Sequence, residues 1–135
     1  MNVIVCLDER NGMLFGKKRQ SKDRFVIDDI NQDRKDTTLW IHPFSQSLFS
    51  ESDNVKISEQ FLDEGNDGLC FVENQALLPY ADTIDKIIIY RWNRHYPSTT
   101  TFDLPLSNYH LESKCDFKGY SHDNITKEIY ITWND

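Results

Sequence analysis

Cysteine and glycine are both scarce in this sequence, with three cysteines and five glycines in 135 residues. Cys6, Cys70 and Cys115 are far apart and odd in number, so the pattern indicates no disulfide framework. Cys6 and Cys70 lie inside apolar runs, which predicts that they are small core residues. This cysteine usage is typical of a protein in a reducing compartment, and we expect a cytoplasmic location.

Signatures of several chemistries are also missing. The four histidines show neither a His-x-His nor a His-x-x-x-His spacing, so no metal site is predicted. The sequence has no Gly-x-Ser-x-Gly motif and no Walker-type phosphate loop. No apolar run approaches the roughly 20 residues of a membrane span, and no stretch resembles a signal peptide, so we expect no membrane partner. A net charge of −7 and a pI of about 5.0 disfavour a nucleic-acid partner.

The apolar pattern that is present predicts an α/β fold. Continuous apolar runs at residues 3–7 and 69–72 are typical of strands that are covered on both faces, and four β-formers at residues 87–90 predict a strand over 84–92. Residues 115–120 and 125–133 alternate and are joined by a polar turn, which predicts an antiparallel hairpin. We therefore predict a mixed, mostly parallel sheet with a C-terminal antiparallel hairpin.

Helices are predicted between these strands, and the whole chain, residues 1–135, is predicted to be one domain. Ser21 is a suitable N-cap for the first helix, and residues 16–20 are predicted to be a basic, irregular loop. The predicted helical segments are residues 22–31, 44–49, 58–64 and 75–78.

Several segments, in their order, resemble the dihydrofolate reductase family. Residues 2–16 resemble the first strand of that family and the glycine-bearing loop over its active site. Residues 38–49 are similar to the segment that meets the cofactor phosphate, and they read Thr-Leu-Trp-Ile-His-Pro-Phe-Ser-Gln-Ser-Leu-Phe. Residues 86–102 match without a gap the stretch that runs from a central strand to a Thr-x-Phe element. The resemblance covers nearly the whole chain and implies a three-layer α/β fold.

The resemblance also implies a carboxylate that anchors the substrate near the start of the first helix. Asp23 fits by its position in the helix and Asp28 by its distance from Gly16, so the register stays open. Such a carboxylate would pair with the amidine-like edge of a pterin. Thr100 matches the threonine that supports this acid. Apart from the resemblance, Asp23 is explained as a first-turn acid, Asp28 as a solvated residue and residues 99–101 as a β-forming run.

On the cofactor side, the resemblance implies a cleft whose key positions are altered here. Glu73 and Asn74 stand where the family has a Gly-Gly turn. The family's Gly-Arg-x-Thr segment reads His-Pro-Phe-Ser, in which Ser45 keeps a hydroxyl but the arginine is lost. The loop with Gly16 and Lys17 is expected to cover the same cleft. A carboxylate beside a diphosphate costs several kcal/mol in a desolvated site, so we expect no conventional NADPH binding.

Basic residues near this cleft leave two interpretations open. Residues 17–19 either compensate part of the negative charge or form an ordinary exposed loop. Arg91, Arg94 and His95 follow a predicted central strand and are a second candidate site at the mouth of the cleft.

These features together predict a divergent relative that has lost dinucleotide-dependent reduction, and no cofactor is expected. The expected role is a binding or interaction module for a small planar or anionic ligand. The alternative is a reductase of a pterin-like or flavin-like substrate that holds NADPH through contacts that the family does not use. A third interpretation is a subunit of a homo-oligomer, since elements missing relative to the family leave a sheet edge to be covered.

Overall fold

The computed structural model describes residues 1–133 and consists of ten strands connected by short helices. The strands are β1 (Asn2–Leu7), β2 (Gly12–Phe15), β3 (Lys18–Arg19), β4 (Leu39–Ile41), β5 (Val55–Ile57), β6 (Leu69–Phe71), β7 (Lys86–Arg91), β8 (Thr100–Thr101), β9 (Tyr109–Phe117) and β10 (Ile125–Thr132). The helices are α1 (Arg24–Arg34), α2 (Phe61–Glu64) and the 3₁₀ helices Pro43–Phe49, Leu78–Thr83 and Leu106–Asn108. The predicted domain of residues 1–135 includes two residues that lie outside the described part.

Seven of the strands form one mixed sheet in the order β5-β4-β6-β1-β7-β10-β9. Neighbours from β5 to β7 in this order run parallel, whereas β10 is antiparallel to both β7 and β9. The predicted mixed, mostly parallel sheet with a closing antiparallel hairpin is therefore confirmed. The inner parallel strands β1, β6 and β7 are largely buried and covered on both faces, which explains their apolar sequences, whereas the edge strand β5 is mostly exposed.

The sheet separates two apolar layers because alternate side chains of a strand point to opposite faces. On β1, Val3 and Val5 pack in the layer that also contains Phe61 of α2. Ile4 packs on the other face, in the layer that contains Val26 of α1. The arrangement is a helix–sheet–helix stack of three layers, as the resemblance implied.

The chain leaves the neighbouring strands β4 and β6 in opposite directions. After β4 it runs through the 3₁₀ helix Pro43–Phe49 to β5 at the edge of the sheet, and after β6 it crosses β1 to reach β7. In open α/β sheets, ligands bind in the crevice outside the carboxyl ends of two such strands. Ser45 follows β4 and Glu73 follows β6, so both residues lie at this crevice.

A small second sheet lies beside the first and has the order β3-β2-β8. It contains β3, so the prediction that residues 16–20 are irregular was wrong for Lys18–Arg19. Gly16 lies at the turn of the β2–β3 hairpin with a φ of 60°, a left-handed conformation that glycine adopts readily. The hairpin brings Arg19 back towards the main sheet.

α1 begins two residues later and ends three residues later than the predicted helix. Its N-cap is Asp23, not Ser21, and the Asp23 carboxylate accepts a hydrogen bond from the N–H of Phe25 at 2.9 Å. Asp23 is also tied to the loop that joins β9 and β10, a contact between residues far apart in the chain. A local pattern contains no signal for such a contact, which explains the wrong boundary.

Two further elements differ from the predictions. The helical turn predicted at residues 75–78 is instead the 3₁₀ helix Leu78–Thr83, because the Asp103 carboxylate accepts hydrogen bonds from the N–H groups of Leu77 and Leu78. β9 begins at Tyr109 rather than at residue 115. Its side chains are mostly exposed at the edge of the sheet, so the sequence lacks the apolar alternation that would mark the strand.

Candidate functional site

Asp23 lies at the start of α1 and its carboxylate is saturated with hydrogen bonds. Oδ1 accepts from the main-chain N–H groups of Phe25 and Tyr120 at 2.9 and 2.8 Å. Oδ2 accepts from the N–H of Ser121 at 2.9 Å and from Nδ1 of His122 at 2.7 Å, with the Ser121 hydroxyl at 3.3 Å. The side chain has no exposed surface. A carboxylate offers about four lone-pair positions, and the hydrogen bonds within the protein occupy them.

The loop that joins β9 and β10 passes very close to this carboxylate. A Cβ added at Gly119 would lie 2.7 Å from Oδ2 of Asp23, well inside van der Waals contact. Only a residue without a side chain lets the main chain of the loop approach closely enough to donate its N–H groups. The glycine is therefore part of the Asp23 site.

These contacts change the acidity of Asp23. Burial by itself would raise the pKa of the carboxyl, but the hydrogen bonds from His122, Tyr120, Ser121 and Phe25 outweigh it and lower the pKa from 3.8 to about 2. The carboxylate is therefore ionised throughout the neutral range.

The lowered pKa predicts a loss of stability in acid. The unfolded state binds a proton near pH 3.8 and the folded state only near pH 2, so the stabilising contribution is present above pH 4 and is lost as the pH falls through 2. Between pH 5 and pH 2, the difference in free energy of unfolding between the wild type and Asp23→Asn should shrink by about 2 kcal/mol. Urea titrations at each pH measure it. The pKa of Asp8 is also lowered, but Asp8 is unchanged in both proteins. A constant difference would contradict the assignment.

His122 is a residue of the Asp23 site that the sequence did not indicate. Its ring stacks on Trp92 with centroids 4.7 Å apart and an interplanar angle of 23°. Nδ1 faces Asp23, and Nε2 lies 2.8 Å from the hydroxyl of Ser21 and 3.4 Å from that of Tyr96. His122 is about 100 residues away from Ser21 and Asp23 in the chain, and no short-range spacing marks it.

Asp28 is exposed and lies in a different environment. It lines a groove of about 600 Å³ between α1 and the segment at residues 47–52. The groove has an apolar part formed by Ile27 and Leu48. Its lining also carries charges of both signs, from Lys22 and Arg24 and from Asp28 and Glu51. The open choice between Asp23 and Asp28 thus becomes a choice between a buried, saturated carboxylate and a free one on a groove. Neither role in substrate binding is tested by this placement.

Thr100 lies in β8, where it pairs with Leu14 in the small sheet. Within residues 1–133, the hydrogen bonds to Asp23 come from α1 and from the β9–β10 loop and not from Thr100. Among the described residues, no direct hydrogen bond therefore joins Thr100 to Asp23, and its supporting role stays a prediction. The neighbouring Thr99 accepts a hydrogen bond from the N–H of Gly16 at 2.7 Å, which closes the loop over the sheet.

Glu73 lies at the crevice between β4 and β6 and is held by two partners. Nε and Nη2 of Arg19 donate to its two oxygens at 2.6 and 2.8 Å, a bidentate ion pair. The hydroxyl of Ser45 donates to Oε1 at 2.7 Å. Arg19 also donates to the carbonyl of Phe44 at 3.2 Å and lies over its ring. We call Arg19, Ser45 and Glu73 the crevice triad.

Each of the two interpretations of residues 17–19, charge compensation and an exposed loop, applies to different residues of this segment. Arg19 compensates the charge of Glu73, and this ion pair raises the pKa of the arginine. Gly16 and Lys17 are exposed, as is Lys18, and they do not line the crevice triad. Of the three basic residues 17–19, Arg19 therefore is the one that contacts Glu73 at the crevice.

Asn74, the other residue in place of the Gly-Gly turn, lies next to His42 at the same crevice. Nδ1 of His42 accepts from the N–H of Phe44 at 3.0 Å, and Nδ2 of Asn74 donates to it at 3.3 Å. The N–H of Ser45 donates to the His42 carbonyl at 2.9 Å. The N–H groups that would meet a phosphate at the start of a helix are therefore bonded within the protein.

The second predicted cluster is not assembled as one site. Arg91 donates to Glu128 and to Asn11, each at 2.8 Å, and is thus fixed inside the protein. Arg94 and His95 are exposed on the following turn. Arg91 therefore has a structural role in this fold.

A cavity of about 10 Å³ separates Glu73 from the Asp23 site, and Cys6 lines it. Burial, together with the charge of Glu73, raises the pKa of the Cys6 thiol. The thiol is thus neutral, as expected for a small core residue. In the described part of the chain, no group of three His, Cys, Asp or Glu side chains is arranged to hold a metal ion. No helix there is long and apolar enough to cross a membrane.

The sheet order, the closing hairpin and the crevice define a dihydrofolate reductase-like fold. A solved dihydrofolate reductase from Enterococcus faecalis, complexed with NADP(H) and RAB-propyl, is similar to this chain with a TM-score of 0.70. The two share 12% sequence identity over 99% of this chain and 96% of that one. The fold that the resemblance implied is confirmed, and at this identity the likeness concerns the fold alone. No protein-family model and no curated protein matches the sequence.

Proposed function

We propose that this protein does not bind a dinucleotide in the manner of dihydrofolate reductases and instead holds a small planar or anionic ligand in the groove beside α1. The observation that carries the proposal is the crevice triad. Its carboxylate lies at the strand-end crevice where a coenzyme diphosphate is expected to bind. We therefore place the ligand in the groove and not at the crevice.

The charge balance of the triad supports the first half of this proposal. Glu73 is nearly buried, and a diphosphate next to it would place like charges in a poorly solvated site, at a cost of several kcal/mol. Arg19 is engaged by both carboxylate oxygens and offers a phosphate no free bidentate face. The helix N–H groups are bonded to His42. Each element that normally binds phosphate is thus occupied from within the chain.

The groove supports the second half. Its volume of about 600 Å³ is in the range of small-molecule sites. The Tyr120 ring is exposed at its rim, with the guanidinium of Arg24 4.7 Å from the ring centroid. A flat ligand can stack on this ring, and a carboxylate or phosphate on it would meet Lys22 and Arg24.

Isothermal titration with NADPH tests the crevice. The wild type should show no saturable binding below about 100 µM. The double variant Glu73→Gly/Asn74→Gly removes the carboxylate and frees Arg19, so its affinity for NADPH should rise at least about tenfold, which corresponds to about 1.4 kcal/mol. Asn74→Gly alone is the matched control and should behave as the wild type. Micromolar binding of NADPH to the wild type would overturn the proposal.

Titration of the groove with folate and with flavin mononucleotide, followed by amide NMR shifts, tests the ligand site. The shifts should concentrate at Ile27, Leu48 and Tyr120, and Tyr120→Ala should weaken binding about tenfold through the lost stacking. Phe15→Ala, which removes an exposed aromatic ring outside the groove, should have no effect. Shifts confined to the crevice between β4 and β6 would contradict the groove assignment.

The second candidate function is a reductase of a pterin-like or flavin-like substrate. The observation in its favour is that the similar Enterococcus faecalis enzyme was solved with NADP(H). Its test is the oxidation of NADPH, followed by absorbance, with dihydrofolate or flavin mononucleotide as the acceptor. Turnover that is lost in Asp28→Asn would favour this candidate over the binding module.

A further inference from the structure

Ser21, His122 and Asp23 form a chain of hydrogen bonds with the geometry of a serine nucleophile, its base and an orienting acid. The Ser21 hydroxyl lies 2.8 Å from Nε2 of His122, and Nδ1 of His122 lies 2.7 Å from Oδ2 of Asp23. Because Asp23 accepts from Nδ1, the opposite ring nitrogen is the acceptor for the serine proton. This is the arrangement that activates a hydroxyl for acyl transfer, and it is recognised by geometry and not by order in the chain.

Each member of the chain is held in place by other contacts. Asp23 has four further hydrogen bonds, so it cannot rotate away from the histidine. The His122 ring is fixed by its stack on Trp92 and is nearly buried, with its side chain 4% exposed. Preorganisation of this kind is what a catalytic base requires. The neighbouring Tyr96 hydroxyl, at 3.4 Å from Nε2, is the weaker partner.

The position of Ser21 gives it access to a substrate. It is half-buried at the wall of the small cavity, and Lys22 and Ile27 line both that cavity and the large groove. That cavity of about 10 Å³ holds one water molecule at most, so an acyl group would reach the hydroxyl from the partly exposed side of Ser21.

We propose that Ser21 is a nucleophile for acyl transfer from small activated esters, with His122 as the general base and Asp23 as the residue that positions His122. The Ser21 oxygen attacks the carbonyl carbon, and its proton passes to Nε2 of His122 and from there to the leaving oxygen. The bond from the carbonyl carbon to the leaving group breaks, and acyl-Ser21 forms. Water, deprotonated by His122, then attacks the acyl carbon. The bond to the Ser21 oxygen breaks, the proton on His122 passes to that oxygen, and the acid is released. This activity is independent of the groove ligand proposed above.

Covalent labelling with phenylmethylsulfonyl fluoride, read by intact mass and peptide mapping, tests the nucleophile. One label per chain is expected, on Ser21, and it should disappear in Ser21→Ala. Ser47→Ala is the matched control. Ser47 is an exposed serine that lines the groove beside α1, and its substitution should not change the labelling. Absence of a label on Ser21 in the folded wild type would overturn the proposal.

The variant His122→Asn separates the base from the structural role of the ring. Its amide can still donate to Asp23 but presents no acceptor at the position of Nε2. Labelling of Ser21 should slow at least about 100-fold, the contribution of a general base. Release of nitrophenolate from p-nitrophenyl acetate should fall by a similar factor. Labelling at the wild-type rate in folded His122→Asn would show that the histidine only supports the fold.

A conservative variant provides a second readout that does not depend on loss of folding. In Ser21→Cys the new thiol would lie next to His122, while the exposed thiol of Cys115 serves as a reference in the same molecule. The new thiol should react with iodoacetamide about tenfold faster than Cys115, because the histidine stabilises the thiolate. Equal or slower alkylation would overturn the activation by His122.

Discussion

Asp23→Ala should lower the free energy of unfolding by about 3–5 kcal/mol, the range found when one partner of a buried charged network is removed. The substitution leaves the N–H groups of Tyr120 and Ser121 and the ring of His122 without their acceptor in a site with no exposed carboxylate surface. Each unsatisfied buried group costs about 1–3 kcal/mol. It also removes the N-cap of α1. The helix and the β9–β10 loop lose their common attachment point.

Urea denaturation at neutral pH measures this effect, and Asp28→Ala is the matched control. Asp28 is exposed on the same helix, so its removal should change the free energy of unfolding by no more than about 0.5 kcal/mol. Hydrogen exchange should report faster opening of the amides of residues 120 and 121 in Asp23→Ala. If both variants lost the same small amount of stability, the saturated carboxylate would not have the role described above.

Phe71→Ala should cost about 3–5 kcal/mol, the usual loss when a phenylalanine in a packed core is truncated. Phe71 is the last residue of β6 and is 1% exposed. Its ring meets that of Phe49 edge to face with centroids 5.0 Å apart. It also lines the small cavity next to Glu73, so truncation enlarges a void that the protein keeps at about 10 Å³. The truncation therefore opens space beside Glu73 of the crevice triad.

Two controls distinguish lost packing from a general effect of removing an aromatic ring. Phe71→Leu keeps most of the volume and should cost about 1.5 kcal/mol or less. Phe15→Ala removes a ring that is half exposed and should cost about 1 kcal/mol or less. Chemical denaturation gives all three values. A cost for Phe71→Ala near that of Phe15→Ala would mean that β6 does not depend on this contact.

Much of the fold was predictable because its signals are local. The β-formers at residues 87–90 and the alternation at 125–133 follow from burial on one or two faces, and both segments lie in strands of the main sheet. The element boundaries were less predictable. α1 begins where Asp23 meets the β9–β10 loop, and the helix at Leu78–Thr83 begins where Asp103 caps it.

The candidate site was predictable in part. The sequence indicated Glu73 and Ser45 as cleft residues, but the two interpretations of residues 17–19 were separated only when Arg19 was found on Glu73. His122 was one of four scattered histidines, and its function depends on a loop that folds over α1. Thr100 was assigned by its match to the family; in the structure it pairs with Leu14 in the small sheet, and its supporting role stays a prediction. A role of Asp28 in substrate binding stays a prediction, and so does the formation of a homo-oligomer.

The sequence by itself determined the layered α/β sheet and the loss of glycines at the crevice, because hydrophobic periodicity and residue type are properties of neighbouring positions. Only the tertiary structure decided that Arg19 forms an ion pair with Glu73 and that Asp23 accepts hydrogen bonds from the β9–β10 loop. The tertiary structure also brought the Ser21 hydroxyl within hydrogen-bond distance of His122. Such pairs join residues about 50 to 100 positions apart. Their formation depends on which strands become neighbours, and no local pattern specifies that.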